Sequence, residues 1–179
     1  MNKYNKKIYI FIICILIVTT ICLLYSNYIN IKLINNNYDS TMNFALNETI
    51  EAMETLDIIR DTSLGYSQWT IVRVSNNISD LSRIMHYFTM VSNNPVFYEF
   101  DKSLIYYNRL IQEYSGDEFE HSKFNTIFDD FYYLSNNMSK SWKRDYSYKK
   151  VVSELEKVLE DFLSNIKTEE VKSRLEEIH

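Results

Sequence analysis

From Ile8 to Tyr25 the chain reads IYIFIICILIVTTICLLY, an uncharged and mostly aliphatic run, and beyond it apolar residues return every third or fourth position. The first pattern predicts a membrane helix. No charge occurs in the 24 residues between Lys7 and Lys32. At about 1.5 Å per residue, 18 to 24 helical residues cover roughly 27–36 Å, the depth of a bilayer's hydrocarbon core. Tyr9 and Tyr25 stand near the two ends of the run, where amphipathic rings favour the headgroup layer. The span is therefore assigned to residues 8–27, with Ile8 and Tyr25 marking it and the lipid bilayer as its partner.

The second pattern predicts amphipathic helices. One stripe runs Met42, Ala45, Thr49, Met53, Leu56 and Ile59, with Glu48, Glu51, Glu54 and Asp57 off it. A second runs Val74, Ile78, Leu81, Met85 and Phe88, extended backward by Ile71 and Trp69. Phe97, Phe100, Leu104, Tyr107, Ile111 and Tyr114 form a third; Phe124, Ile127, Phe131, Leu134 and Met138 a fourth, with Trp142 a turn on. The fifth holds Val151 or Val152, Leu155, Val158 or Leu159, Phe162 and Ile166. Val171, Leu175 and Ile178 either continue that helix or make a short one after Thr168.

Punctuation fits these limits. Gly65 suits a helix stop, Gly116 a second, and Asp117 the N-cap of the helix that follows. Asn94 reads as an N-cap with Pro95 at the first helical position, where a missing N–H costs nothing. Ser139 to Asp145 reads as a connection, and Asn35-Asn36-Asn37 as a linker after the span, unless the helix continues through it.

The resulting fold class is all-α: an N-terminal transmembrane helix followed by an up-down bundle of four to five helices outside the cytoplasm. Residues 1–7 form a basic cytoplasmic N-terminus, 8–27 the anchor, 28–39 a linker or helix continuation, and 40–179 the bundle. Composition supports it. The chain has two glycines and one proline, too few for the tight turns of a meander, sandwich or barrel and for any Gly-rich phosphate loop.

The basic flank sets the orientation. Lys3, Lys6 and Lys7 precede the span and only Lys32 follows closely, which places the N-terminus in the cytoplasm. A cleavable signal would need a shorter apolar run and a small-x-small site; the first alanine is Ala45. Bulky Ile21 before Cys22 disfavours a lipoprotein site, and the Gly and Glu of a prepilin leader are missing. The exported part carries 16 basic against 24 acidic residues, a formal charge of −8 that repels phosphate backbones. Nucleic acid is therefore excluded as a partner. Both cysteines, Cys14 and Cys22, lie in the span, so the bundle has no internal disulfide and no thiolate metal site. The 18 Asn, 21 Ile, 15 Tyr and 13 Lys share AT-rich codons, which weakens any functional reading of a single Asn or Tyr. The Asn-x-Ser/Thr triplets at Asn47, Asn77 and Asn137 are accordingly given no role.

Candidate chemistry is sparse. Glu118-x-x-His121 and Glu176-x-x-His179 are both E-x-x-H, the pairing from which ferritin-like bundles build a di-metal carboxylate site. Both pairs lie at helix ends and off the apolar stripes, which favours solvated residues. The adjacent pairs Asp129-Asp130 and Glu169-Glu170 point about 100° apart on a helix and read as solvent faces. Tyr98, Tyr106 and Tyr132 fall off the stripes and mark a possible interface. No catalytic or cofactor-binding residue is assigned. The function expected is binding at the outer face of the cell membrane, to a protein partner, a small ligand or a second copy. The alternatives are a di-metal enzyme using Glu118, His121, Glu176 and His179, and a structural component of the envelope or of a secretion apparatus.

Overall fold

The computed structural model describes residues 3–61, 67–92, 94–115, 121–141 and 147–177. Among them are six α-helices and no strand: α1 (Lys3–Arg60), α2 (Gln68–Ser92), α3 (Pro95–Tyr114), α4 (Phe124–Ser141), α5 (Tyr148–Ser164) and α6 (Glu169–Glu176). A 3-10 turn, His121–Lys123, leads into α4. The chain divides into two compact units, Met1–Tyr38 and Asp39–His179.

The first unit is helical throughout its described length. Asn35, Asn36 and Asn37 are helical, so the alternative of an uninterrupted helix holds at the expected linker. The reason is local. No Gly or Pro precedes Gly65, and asparagine costs a helix only about 0.7 kcal/mol per residue. Every described side chain from Ile12 to Ile34 is exposed. The Thr19 hydroxyl donates back to the carbonyls of Ile15 and Leu16, each at 3.0 Å, and Thr20 donates to Leu16 at 2.7 Å. Such back-bonding satisfies hydroxyls where no water is at hand.

The second unit is a bundle in which successive helices run antiparallel. Asn77 of α2 meets Glu48 of α1 while Arg73 meets Glu51. Ser82 and Ser79 of α2 meet Asp101 and Asn108 of α3. Tyr107 and Tyr114 of α3 meet Asp130 and Phe124 of α4. The α4–α1 contacts run antiparallel too, from Met138 beside Thr49 to Phe128 beside Arg60.

The core sits where the stripes face inward. In the α1 part of this unit the buried positions are Met42, Ala45, Thr49, Ala52, Thr55, Leu56 and Ile59, a stripe with a spacing of three and four to which Thr55 is added beside Leu56. Ala52 thus takes the place expected of Met53, which is half-buried and accepts from the Ser135 hydroxyl at 3.2 Å. The α2, α3, α4 and α5 stripes are buried as their spacing predicts, with two corrections. Tyr114 is only half-buried. Trp69 is 82% exposed, because Ile71 and Val74 occupy the inner face and a residue two positions from Ile71 lies about 200° around the helix. Aromatic rings fill the middle: Phe100 meets Phe162 edge-on at 5.4 Å, and Tyr107 meets Phe131 edge-on at 5.3 Å. Stacked Phe88 and Phe97, 5.4 Å apart, close the α2–α3 end.

Capping follows the sequence at the α2–α3 boundary. The Asn94 side chain accepts from the Val96 N–H at 3.0 Å, and Pro95 opens α3. Thr168 stands before α6, which is a separate short helix. Gly65, Gly116, Asp117, Trp142 and Ile178 lie outside the described residues, as does most of the expected 139–145 connection; its first residues, Ser139 to Ser141, still belong to α4.

Candidate functional site

Among the described residues one helix is long and apolar enough to cross a membrane, and it is the N-terminal one. Tyr25, at the far end of the assigned span, is exposed; the side chain of Ile8 lies outside the described ones, though its backbone is helical.

The E-x-x-H pairs are only partly placed. Glu118 and His179 lie outside the described residues. His121 sits in the 3-10 turn with Nδ1 2.5 Å from the Ile59 carbonyl, tying that turn to the last turn of α1. Glu176 is exposed at the end of α6. Among the described residues no group of three or more His, Cys, Asp or Glu is placed to hold a metal ion.

The three tyrosines do not share one face. Tyr98 and Tyr106 are eight residues apart on α3, so they leave the helix about 80° apart. Tyr98 is exposed with Lys102 Nζ 5.1 Å from its ring centre, and half-buried Tyr106 has the Arg174 guanidinium at 5.8 Å. Tyr132 of α4 is exposed and stacks on Phe128 at 5.9 Å; the Arg60 guanidinium lies 3.6 Å from the Phe128 ring centre.

Three polar constellations escaped the spacing argument. The first corrects a solvent-face reading: Asp130 is 2% exposed. Its Oδ2 accepts from the Tyr107 hydroxyl at 2.7 Å, the Thr168 hydroxyl at 2.6 Å and the Thr168 N–H at 3.0 Å, and its Oδ1 from the Lys167 N–H at 2.8 Å. Four donors from α3 and the α5–α6 turn thus repay the desolvation of one carboxylate. Burial, then the Asp130 charge, pushes the Tyr107 phenol well above its usual value. Asp129, its neighbour, does face solvent and meets Lys167 Nζ at 3.1 Å, and Glu169 and Glu170 are exposed as expected.

The second lies between α2 and α3. Ser82 donates to Asp101 Oδ1, and His86 Nδ1 is 3.7 Å from Asp101 Oδ2. The carboxylate, not the imidazole, holds the hydroxyl, which is the wrong order for a base-activated nucleophile. Asn108 Nδ2 donates to Ser79 at 3.1 Å beside a groove of about 250 Å³.

The third joins α1 to α2. Buried Asn77 donates to Glu48 at 3.0 Å and Glu51 at 3.3 Å, so it is engaged in the fold. The Glu48 carboxyl is pushed up by burial and by the charges of Asp80 and Glu51, against the pull of the Asn77 hydrogen bond.

An open groove of about 630 Å³ lies where the start of α3, the end of α5 and α6 converge. Val96, Leu163 and Leu175 give it an apolar floor, and Glu99, Glu160 and Lys172 a charged margin. No family model matches the chain, and neither a curated protein nor a solved structure matches it.

Proposed function

We propose that this chain is a single-pass membrane protein that holds a helical bundle at the outer face of the cell membrane and acts there by binding. The observation that carries the reading is the division of α1: an uncharged stretch of membrane-spanning length whose described side chains are all exposed, then seven buried positions from Met42 to Ile59 in the second unit. One helix is thus both anchor and core element. The α3–α5–α6 groove is where the ligand or partner docks. Its volume falls within the roughly 300–1,000 Å³ of ordinary ligand sites, and its apolar floor with a mixed charged margin suits an amphipathic group. The Lys3, Lys6 and Lys7 flank supports the orientation.

The test uses full-length protein with Cys14→Ser and Cys22→Ser. A membrane-impermeant thiol reagent on intact cells labels Asn136→Cys, on an exposed position of α4, and labels Asn5→Cys only after lysis. The reverse pattern, or recovery of the chain from the aqueous fraction, overturns the reading. A photocrosslinker in place of Ser164, beside the groove, then gives an adduct that one in place of Asn76 on α2 does not.

A further inference from the structure

We infer that the turn between α4 and α5 docks on an anionic lipid surface, with Lys140, Lys149 and Lys150 as the cations that meet its headgroups. The inference rests on the anchor reading above and adds a second contact with the same bilayer. Charge is unevenly spread along the chain beyond the span. Residues 139–150, SKSWKRDYSYKK, hold five of its 16 basic residues and one of its 24 acidic ones. A segment of net +4 is a local exception to the repulsion that the domain as a whole exerts on phosphates.

The described part of this segment is open to solvent. Lys140 stands in the last turn of α4, Lys149 and Lys150 in the first turn of α5, and all three are exposed. Lys150 pairs with Glu154 at 2.5 Å, whereas Lys140 and Lys149 meet no carboxylate among the described residues. Cations in a first turn oppose the positive end of the helix dipole, and α5 has no acidic residue there to offset them. An anionic surface at that end relieves both repulsions. Lys143 and Arg144 lie outside the described residues, and the site does not depend on them.

Position in the bundle selects the lipid. Met138 and Ser141 of α4 and Val151 and Leu155 of α5 line one small cavity with Met42 of α1. The basic turn is therefore at the end of the bundle where α1 enters it. Fifteen residues separate Met42 from the end of the assigned span at residue 27, a tether of about 50 Å even at full extension. The opposite end is acidic. Residues 113–120 hold four acidic residues and no basic one, and they lead into His121, which meets Ile59 at the far end of the buried α1 stripe. The bundle is thus polarised, basic at its tethered end and acidic at the other, and an anionic bilayer attracts the first and repels the second. A soluble anion meets the same lysines but gains nothing from the tether.

Quenching by a lipid with a nitroxide headgroup tests this in the full-length Cys14→Ser, Cys22→Ser protein, reconstituted in vesicles of phosphatidylcholine alone or with about 30% phosphatidylglycerol. One fluorophore is attached at Ser147→Cys, an exposed position that makes no side-chain capping bond, and another at Asn125→Cys, exposed at the start of α4. Docking makes quenching at residue 147 about threefold or more stronger when phosphatidylglycerol is present and leaves residue 125 unchanged. The gain disappears in about 0.5 M salt and in Lys140→Gln combined with Lys149→Gln. Equal quenching with and without phosphatidylglycerol, equal gains at the two sites, or a gain that survives the double substitution overturns the inference. Alkaline extraction of the same vesicles separates the two claims. A membrane-integrated chain without phosphatidylglycerol-dependent quenching at residue 147 loses the docking turn and keeps the anchor; a chain released to the aqueous phase loses both.

Discussion

The Tyr107 hydroxyl donates to Asp130 Oδ2 at 2.7 Å in the middle of the bundle, and the backbone of the α5–α6 turn converges on the same carboxylate. Two residues 23 positions apart thereby fix where α3, α4 and the last turn of the chain meet. Replacing Asp130 with Ala leaves buried donors of Tyr107, Lys167 and Thr168 without an acceptor. The expected loss is about 3–5 kcal/mol, the range for breaking a buried charged network by removing one partner. Tyr107→Phe leaves the carboxylate three donors and costs about 1–2 kcal/mol. Urea denaturation of the detergent-solubilised protein measures both, and equal losses would show that the carboxylate is not the hub.

The same phenol makes the fold sensitive to alkali. Tyr107 is held well above its ordinary value of 10.0 by burial and by Asp130, and Tyr114 is pushed up to about 12 by burial and by the Glu170 hydrogen bond. Both keep their protons in the folded state at a pH where an unfolded tyrosine has lost its own. The unfolded chain then binds fewer protons, so stability is full below pH 10 and falls as pH rises above it. Tyrosinate absorbance and circular dichroism followed together should show the slowest-titrating phenols ionising with loss of helix. In Tyr107→Phe the alkaline slope is shallower.

Glu48 shows a shift of the same sign that takes effect at neutral pH. Its carboxyl is raised above 4.5 by burial and by Asp80 and Glu51, so the folded state favours the protonated form. That contribution is complete below pH 4.5 and is lost as pH rises through the raised value. Glu48→Gln removes the like charge and keeps an oxygen that can accept from Asn77. Its melting temperature should exceed the parent's at pH 7 and approach it at pH 4. No difference at pH 7 would place the repulsion in solvent.

The sequence was most legible where one interaction decides one position. Asn94 and Pro95 open α3 because a cap needs only a local side chain and a fixed φ. The inner stripes of α3, α4 and α5 were legible because heptad spacing has one buried solution. Asp130 was not, since a carboxylate beside Asp129 looks solvated until Tyr107 and Thr168 arrive from 23 and 38 residues away. Trp69 was misplaced because the stripe was extended backward past Ile71 out of phase: two positions before Ile71 a residue lies about 200° around α2. Of the interface tyrosines, sequence identified exposure at Tyr98 and Tyr132; their separation on α3 and α4 needed the fold.

Trp69 gives the cleanest check of that lesson. With its ring 82% exposed at the start of α2, Trp69→Ala should change stability by less than about 0.5 kcal/mol. Phe162→Ala, which removes a ring packed on Phe100 and Tyr107, should cost about 3–5 kcal/mol. Thermal melts of the two variants would reverse in order if Trp69 belonged to the core stripe.

The docking of α6 depends on a single hydroxyl more than its length suggests. The helix has eight residues, too few to persist alone, and its own contacts are modest: buried Val171, Glu170 accepting from Tyr114 at 2.9 Å, and Arg174 near Tyr106. Thr168 joins it to Asp130 through both its N–H and its hydroxyl. Thr168→Val keeps the shape and the N–H bond but removes the hydroxyl, a loss of about 1–2 kcal/mol. Since 1.4 kcal/mol is a factor of ten in an opening equilibrium, amide exchange in α6 should quicken about tenfold while α2 and α4 exchange as before. Because Lys172 and Leu175 of α6 line the 630 Å³ groove, the proposed docking there predicts that the same variant weakens it, while the proposed anchoring, which rests on α1, is unchanged. Uniformly faster exchange in every helix would mean instead that α6 opens only when the whole bundle does.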